Sequence, residues 1–397
     1  MKDAFRRLFK LSRRPCSPAW HSAPRSAPKP KPRASLLIKE FRLSGPGGNQ
    51  VSDEYVELYN NSGAPLNINQ FKLETLDELG NVVPRDFASP DTIIPSRGHY
   101  LVVNLDGYSL INYAPGDVDV GDGTGIDLFI NNQGVRILSQ SNVQIDTVGF
   151  TGNDPNYVEG VGLSPQAASP AEAHAYVRKL VTGVPQDTGD NAADFVLVST
   201  TGVANGAQLP LGAPGPEDSF SPIQSNSVIK ASLIDPQQPS TAAPNRVRVG
   251  SGNAGSLLIR RRFTNNTSDI VTQLRFRVMD ITTLNNRLPA EADVRAATSA
   301  DGPVTITMGG TVTLQPLTLE EPPAQPLGGG LNSSVAASIV TGGAPLGDGA
   351  TIDVEFQPER RPERPLPLSG QRGGARRGRH LGRTSSGCRG EANLRPD

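Results

Sequence analysis

Between positions 117 and 127 the sequence reads DVDVGDGTGID, with four carboxylates and three glycines in eleven residues. Such a run can fold around a hard, oxygen-seeking cation, so Asp117, Asp119, Asp122 and Asp127 are the candidate metal ligands and calcium is the candidate ion. The spacing departs from that of the helix-loop-helix calcium loop. Counted from Asp117, the sixth position is Asp122 where glycine is required, and the twelfth is Leu128 where a bidentate glutamate is required. The plainer reading is an acidic solvated turn ahead of the strand IDLFI. Gly121, Gly123 and Gly125 are too closely spaced for a dinucleotide fingerprint and belong to the same turn.

A second polar group comprises Asp187, Asp190, Asn191 and Asp194, with Arg178 and Lys179 upstream. Short Asx side chains cap turns by accepting from backbone amides, and arginine pairs with carboxylates across strands, so this group reads as a fold-defining network. Histidine is the usual base near neutral pH, and only four are present. His21 and His380 lie near the termini, His99 reads as part of the turn before YLVVN, and His174 precedes AYVRK. No pair has base-nucleophile or metal-ligand spacing, and there is no Gly-x-Ser-x-Gly elbow, Walker loop or His-Glu-x-x-His helix. Cys16 and Cys388 are the only cysteines, which leaves the middle of the chain without thiolate chemistry. The expectation is a protein that is not an enzyme, with no catalytic residues and no cofactor beyond the calcium candidate.

The elements that would position these residues are strands. Glycine and proline number 42 and 35 among 397 residues and aromatics make up 5%, a balance that favours short strands and turns over long helices. Strand signals recur at 36–41, 54–59, 71–76, 100–104, 126–130, 135–138 and 143–150. In DEYVELYN, Val56 and Leu58 share one face and Tyr55, Glu57 and Tyr59 the other, the alternation of a half-buried strand. A second β-rich stretch begins near Val228. There NNTSD reads as the loop of a long hairpin, and Leu274, Phe276 and Val278 alternate with Arg275, Arg277 and Met279. Arg260, Arg261 and Arg262, with Arg275 and Arg277, read as solvated strand faces.

Charge separates the ends from the middle. Residues 1–33 hold ten basic and one acidic residue, residues 357–397 ten and four, and residues 34–216 eight and 21. An acidic middle repels phosphate backbones, so no specific nucleic acid partner is expected. No run approaches the length of apolar sequence that a membrane helix needs, and no signal peptide is visible in the chain. The organisation expected is a disordered, basic, proline-rich extension over 1–33, a β-sandwich over 34–216, a linker over 217–226, a second β-sandwich over 227–356, and a disordered Arg/Gly/Pro-rich tail over 357–397. The abrupt change of composition after TIDVEF makes that tail a candidate frame-shift product.

The patches LLIKEF, DEYVELYN, IIPSRGHYLVV, IDTVGF, RK with DTGDNAADF, and LGAPGPE, spread over residues 34–217, resemble the lamin tail domain in its secreted bacterial form. The family's tryptophan after the first long hairpin is replaced here by Phe71, an aromatic that can fill the same core. The resemblance implies an immunoglobulin-like sandwich, placement outside the cell or at its surface, and a binding or scaffolding role toward a protein or a surface polymer. It implies as alternatives an accessory targeting domain of an exported hydrolase or nuclease system. A calcium-dependent hydrolase built on the acidic turn is the rival from a different class.

Overall fold

Every regular element among the described residues is a β-strand apart from two short helical turns, Pro155–Tyr157 and Asn191–Asp194. The computed structural model describes residues 34–46, 52–77, 79–121, 133–165, 171–225, 228–251, 254–283, 292–338 and 345–361. The expected strand over 126–130, both terminal tails beyond these limits, Asp122 and Asp127 lie outside the described residues.

Six strands form the first sheet, in the order Phe195–Ser199, His174–Arg178, Leu36–Arg42, Tyr55–Asn60, His99–Val103 and Val118–Asp119. The last pair is parallel and the others are antiparallel. A four-stranded sheet, Gln144–Val148, Val135–Leu138, Lys72–Leu76 and Val82–Asp86, shares one core with it. Leu36, Ile38, Phe41, Val56, Leu58 and Val102 meet Leu73, Val135, Ile137 and Val148 there, with Phe71 packed at its margin. Phe41 sits among aromatic rings, stacked on Tyr176 at 4.9 Å and edge-on to Phe195 at 5.6 Å. Alternation explains the pairs Leu36 and Ile38, and Val56 and Leu58, since residues two apart on a strand point the same way.

The opposite face departs from expectation. Every residue of Tyr55–Asn60 is buried, including Glu57 and the polar Tyr59, so the strand is covered on both sides. The cover comprises Tyr108, Leu110, Ala114 and Leu331, packed on Tyr55, Leu101, Val103, Ala175 and Val198. A β-bulge between Ile38 and Glu40 inserts one extra residue. Bulges re-aim side chains, and here Ile38 and Phe41 stay in the core while Lys39 and Glu40 both reach partners on the covered face.

In the second part, Ile229–Leu233, Gly255–Asn265, Thr351–Arg361 and Asp293–Ala297 form a sheet, with Arg246–Val249 also paired to Gly255–Asn265. It packs on the three strands Gln273–Arg277, Ser334–Ser338 and Thr318–Leu319 through Leu274, Leu317, Val335, Ile352 and Val354. Gly255–Asn265 has partners on both sides and no free edge, so NNTSD crosses between sheets and does not close a hairpin. The arginines expected to be solvated are paired across strands. Arg260 meets Glu355 at 2.7 Å, and Arg262 meets Asp353 through two bonds of 2.9 and 2.8 Å. The final strand continues to Arg361, past the expected tail boundary at 357, because Asp293–Ala297 offers its last residues a ladder.

The Gly/Pro segment that leads into the expected linker is buried from Leu211 to Asp218. Gly212 bridges to Leu331, Leu331 donates to the Leu211 carbonyl and Ala213 donates to the Leu331 carbonyl. The described chain up to Arg361 belongs to one compact unit. Among the described residues no helix is long and apolar enough to cross a membrane.

Candidate functional site

Of the acidic turn, Asp117 and Asp119 are described. The Asp117 carboxylate accepts from the Leu101 amide at 2.7 Å and from the Ser219 amide at 3.0 Å, tying the first sheet to the segment after Glu217. Burial raises its pKa. Asp119 accepts from the Gly121 and Leu105 amides at 2.9 and 3.1 Å. Both carboxylates thus hold main-chain N–H groups, the role of Asx side chains in turns.

The second polar group is a network within the fold. Asp190 caps the Asn191–Asp194 turn through the Ala193 amide at 2.9 Å, and the Asn191 side chain joins Gly149, Glu159 and Thr147. Arg178, fully buried, donates to Asp146 at 2.6 Å and to the Ile38 carbonyl at 2.7 Å, and lies 3.6 Å from Asp194. Asp187 accepts from the Ala34 amide at 3.1 Å. Lys179 donates to the Ala193 carbonyl at 2.6 Å.

The concentration of chemistry lies elsewhere, on the covered face. Glu57 from the second strand of the sheet, His99 at the start of the next and Glu217 from the Gly/Pro segment are all buried, and their ligand atoms lie within 4.8 Å of one another. His99 is the first residue of a strand rather than part of a turn. Its Nδ1 is 2.7 Å from Glu57 Oε1, and its Nε2 is 3.6 Å from Glu217 Oε2. The Lys39 ammonium, from the bulged stretch of the first strand, donates to Glu57 Oε1 at 2.8 Å and to Glu217 Oε2. From the second part, Arg277 Nη2 approaches Glu217 Oε2 at 3.0 Å and Arg275 Nη1 approaches Glu217 Oε1 at 3.4 Å. Arg277 Nη2 is close enough to pair as a charge but is not aligned for a hydrogen bond.

The electrostatics follow from this crowding. Burial pushes the Glu217 carboxyl upward, but Arg277, Lys39, His99 and Arg275 together outweigh it and hold the group well below the usual carboxylate range. Burial pulls Lys39 down, and the carboxylates of Glu217 and Glu57 more than restore it. Glu40 is pushed up by burial and by the Glu57 charge. It accepts from the Tyr55 hydroxyl at 2.6 Å, the Gly215 amide at 2.8 Å and Asn332 Nδ2 at 2.8 Å. Glu320 completes the set, accepting from Arg275 at 3.1 Å and from the Tyr113 hydroxyl at 3.0 Å.

Two carboxylates and an imidazole at this separation could hold a divalent ion. The cation that occupies the position between the carboxylates is the Lys39 ammonium. Glu57 Oε2 is buried without a hydrogen-bond partner. Among the described residues no serine, threonine or cysteine side chain hydrogen-bonds His99, the geometry a base-activated nucleophile requires. A cleft of about 770 Å³ opens beside the cluster, with Lys39, His99, Glu217 and Arg277 in its wall.

Sequence reading missed this cluster because its members stand in three separate segments. The available signal was the polar parity of Tyr55, Glu57 and Tyr59, which identified a common face without showing what covers it.

No protein-family model matches the sequence, and no curated protein does. Among solved structures the chain is similar to a DUF4876 family protein from Bacteroides thetaiotaomicron, with a TM-score of 0.29 and 15% identity over 41% of this chain and 70% of that one. A likeness of this size carries no argument. The class defined by fold and site is therefore an all-β protein of several sheets, joined through a buried network of ion pairs.

Proposed function

We propose that this chain is a non-enzymatic binding or scaffolding module of an exported or cell-surface protein, and that residues 34–216 form an immunoglobulin-like sandwich of the lamin tail kind. The observation that carries the non-enzymatic reading is the pairing of the Glu57–His99–Glu217 cluster with cations of the same chain. Each described ionisable group there is matched by an opposite charge from the same chain, with Lys39 between the carboxylates and Arg275 and Arg277 on Glu217. A buried network paired in this way holds elements together. External placement and a partner protein or surface polymer rest on the sequence patches that resemble the lamin tail domain. The same resemblance supports, as the nearest variant, an accessory targeting role beside an exported hydrolase or nuclease. The test is hydrolysis of phosphodiester and carboxylester substrates by the full chain with calcium, manganese or zinc added. Turnover that disappears in Glu57→Gln and His99→Ala would overturn the reading.

The orphaned Glu57 Oε2 favours one second reading, a divalent ion in the cluster. A nitrogen donor suits zinc or manganese better than calcium, which takes oxygen ligands. Calorimetric titration of the full chain with each ion separates the cases. Heat that vanishes in Glu217→Gln supports the ion, and heat lost in Asp119→Ala assigns calcium to the acidic turn and revives the calcium-dependent hydrolase.

A further inference from the structure

The Gln273–Arg277 strand ends its sheet. Its one partner among the described residues is Ser334–Ser338, and on the facing sheet Ile229–Leu233 is likewise terminal. Among the described residues the second part is therefore open along one flank, and the 770 Å³ cleft lies there, walled by all five residues of Gln273–Arg277 together with Ile229 and Phe263.

The direction of the strand's backbone groups follows from one bond. The Val278 amide donates to the Ser333 carbonyl, so in an antiparallel ladder the main-chain groups of Phe276 and Leu274 also point toward Ser334–Ser338. Those of Gln273, Arg275 and Arg277 point the other way, into the cleft. Among the described residues, three N–H and three C=O groups thus form an unpaired edge about 17 Å long at ~3.4 Å per residue.

Exposed edges are ordinarily blunted by proline, charge or brevity. Pro84 interrupts the Val82–Asp86 edge and exposed Lys230 lies on Ile229–Leu233. On Gln273–Arg277 both arginines are committed elsewhere, Arg275 to Glu320 and Glu217 and Arg277 to Glu217 and the Asn332 carbonyl. They stand away from the edge they would otherwise guard. The cleft rim is also apolar. Phe220, Ile223, Ile270 and Met279 are 86%, 45%, 68% and 40% exposed, four of the fourteen exposed large hydrophobic residues gathered at one place.

We propose that this flank is a strand-acceptor site, and that its occupant is an extended segment of a partner polypeptide with apolar residues at alternate positions. Its backbone would continue the sheet beyond Gln273–Arg277. One row of its side chains would fill the gap against Phe263, Phe276 and Ile229, and the other row would face the polar wall at Glu217 and Arg277. The proposal gives the binding reading above a location and a chemistry. Hydrolytic turnover would sink that reading without touching this edge, and an edge that takes no strand would sink this proposal without creating turnover.

The probe is a fluorescent nine-residue peptide alternating valine and threonine, with a control carrying proline at alternate positions. Binding to the full chain is followed by anisotropy, and occupancy of the edge by amide hydrogen exchange. Saturable binding is expected, about ten-fold weaker for the proline control, with the Gln273, Arg275 and Arg277 amides slowed about ten-fold on saturation. Gln273→Pro removes one outward N–H and should weaken binding about ten-fold. If that variant does not fold, the peptide pair decides alone. Equal binding of both peptides, no binding, or unchanged exchange at those amides overturns the proposal. Amides already protected in the free protein also overturn it: protection lost on dilution would assign the edge to a second copy, and protection that survives dilution would assign it to another segment of this chain.

Discussion

Glu217→Ala removes the carboxylate on which both parts of the molecule converge. Deleting one partner of a buried ion pair costs about 3–5 kcal/mol, because the other charge is left uncompensated. Here the remaining cations do not all suffer equally. Lys39 keeps Glu57 at 2.8 Å and Arg275 keeps Glu320 at 3.1 Å, while Arg277 retains the uncharged Asn332 carbonyl at 2.9 Å and Asn332 Oδ1 at 3.3 Å. One charge rather than three loses its counter-ion, so the expected cost is near the lower limit, about 3 kcal/mol. Urea unfolding followed by circular dichroism at pH 7 reads it. Glu217→Met combined with Arg277→Met should recover to within about 1 kcal/mol of wild type, since an apolar pair carries no desolvation penalty. The pH dependence checks the cause. The folded-state carboxyl lies well below its ordinary 4.5, so its stabilisation is fully present above that pH and is lost as pH falls through the depressed value. Wild type and Glu217→Ala should therefore converge below pH 4.5. A difference under about 0.5 kcal/mol at pH 7, or a gap that stays constant down to about pH 2, would refute the reasoning.

His174, whose Nδ1 lies 2.9 Å from the Glu172 carbonyl, has its pKa lowered from 6.5 to about 4, by burial first. Between those values the unfolded chain takes up a proton that the folded chain refuses, so stability should fall by about 3 kcal/mol as pH drops across the window. His174→Phe should flatten that part of the curve, and an imidazole titrating near 6.5 in the native protein would count against it. Gly330→Ala places a methyl group on the Leu211 carbonyl at the junction of the two parts. It should cost about 1–3 kcal/mol in thermal unfolding, and an unchanged midpoint would show that the junction is loose. Lys39→Met leaves Glu57 and Glu217 without the ammonium they share, so zinc should raise the unfolding midpoint of this variant more than that of wild type. An equal response in both would mean that Lys39 does not fill the cation position.

Much of the strand inventory was legible. Strand-favouring residues located the strand read at 36–41, and period-two alternation sorted the side chains of DEYVELYN and LRFRVMD into two faces. The Asp190 cap followed from local chemistry. The burial of the polar faces did not. DEYVELYN reads as half exposed because alternation specifies parity only, and the same pattern results whether the second face meets water or another layer. The burial of the run LGAPGPE was hidden for a similar reason. Its glycines serve close approach: a Cβ at Gly215 would meet the Arg277 guanidinium, and one at Gly212 would strike Leu331 and Val198. The arginines of the second part read as solvated because their carboxylate partners stand in distant segments.

The residue pattern alone determined an all-β chain with an apolar face on each principal strand, since those properties depend on neighbours one to four positions away. Tertiary structure decided which charges meet. A one-residue bulge turns Glu40 onto the covered face beside Lys39, and the packed segment brings Glu217 to a carboxylate and a histidine far away in the chain. Such contacts depend on how layers stack and which loops close over them, and no local period encodes that. The buried ion network and the open strand edge beside it thus became visible only in the folded molecule.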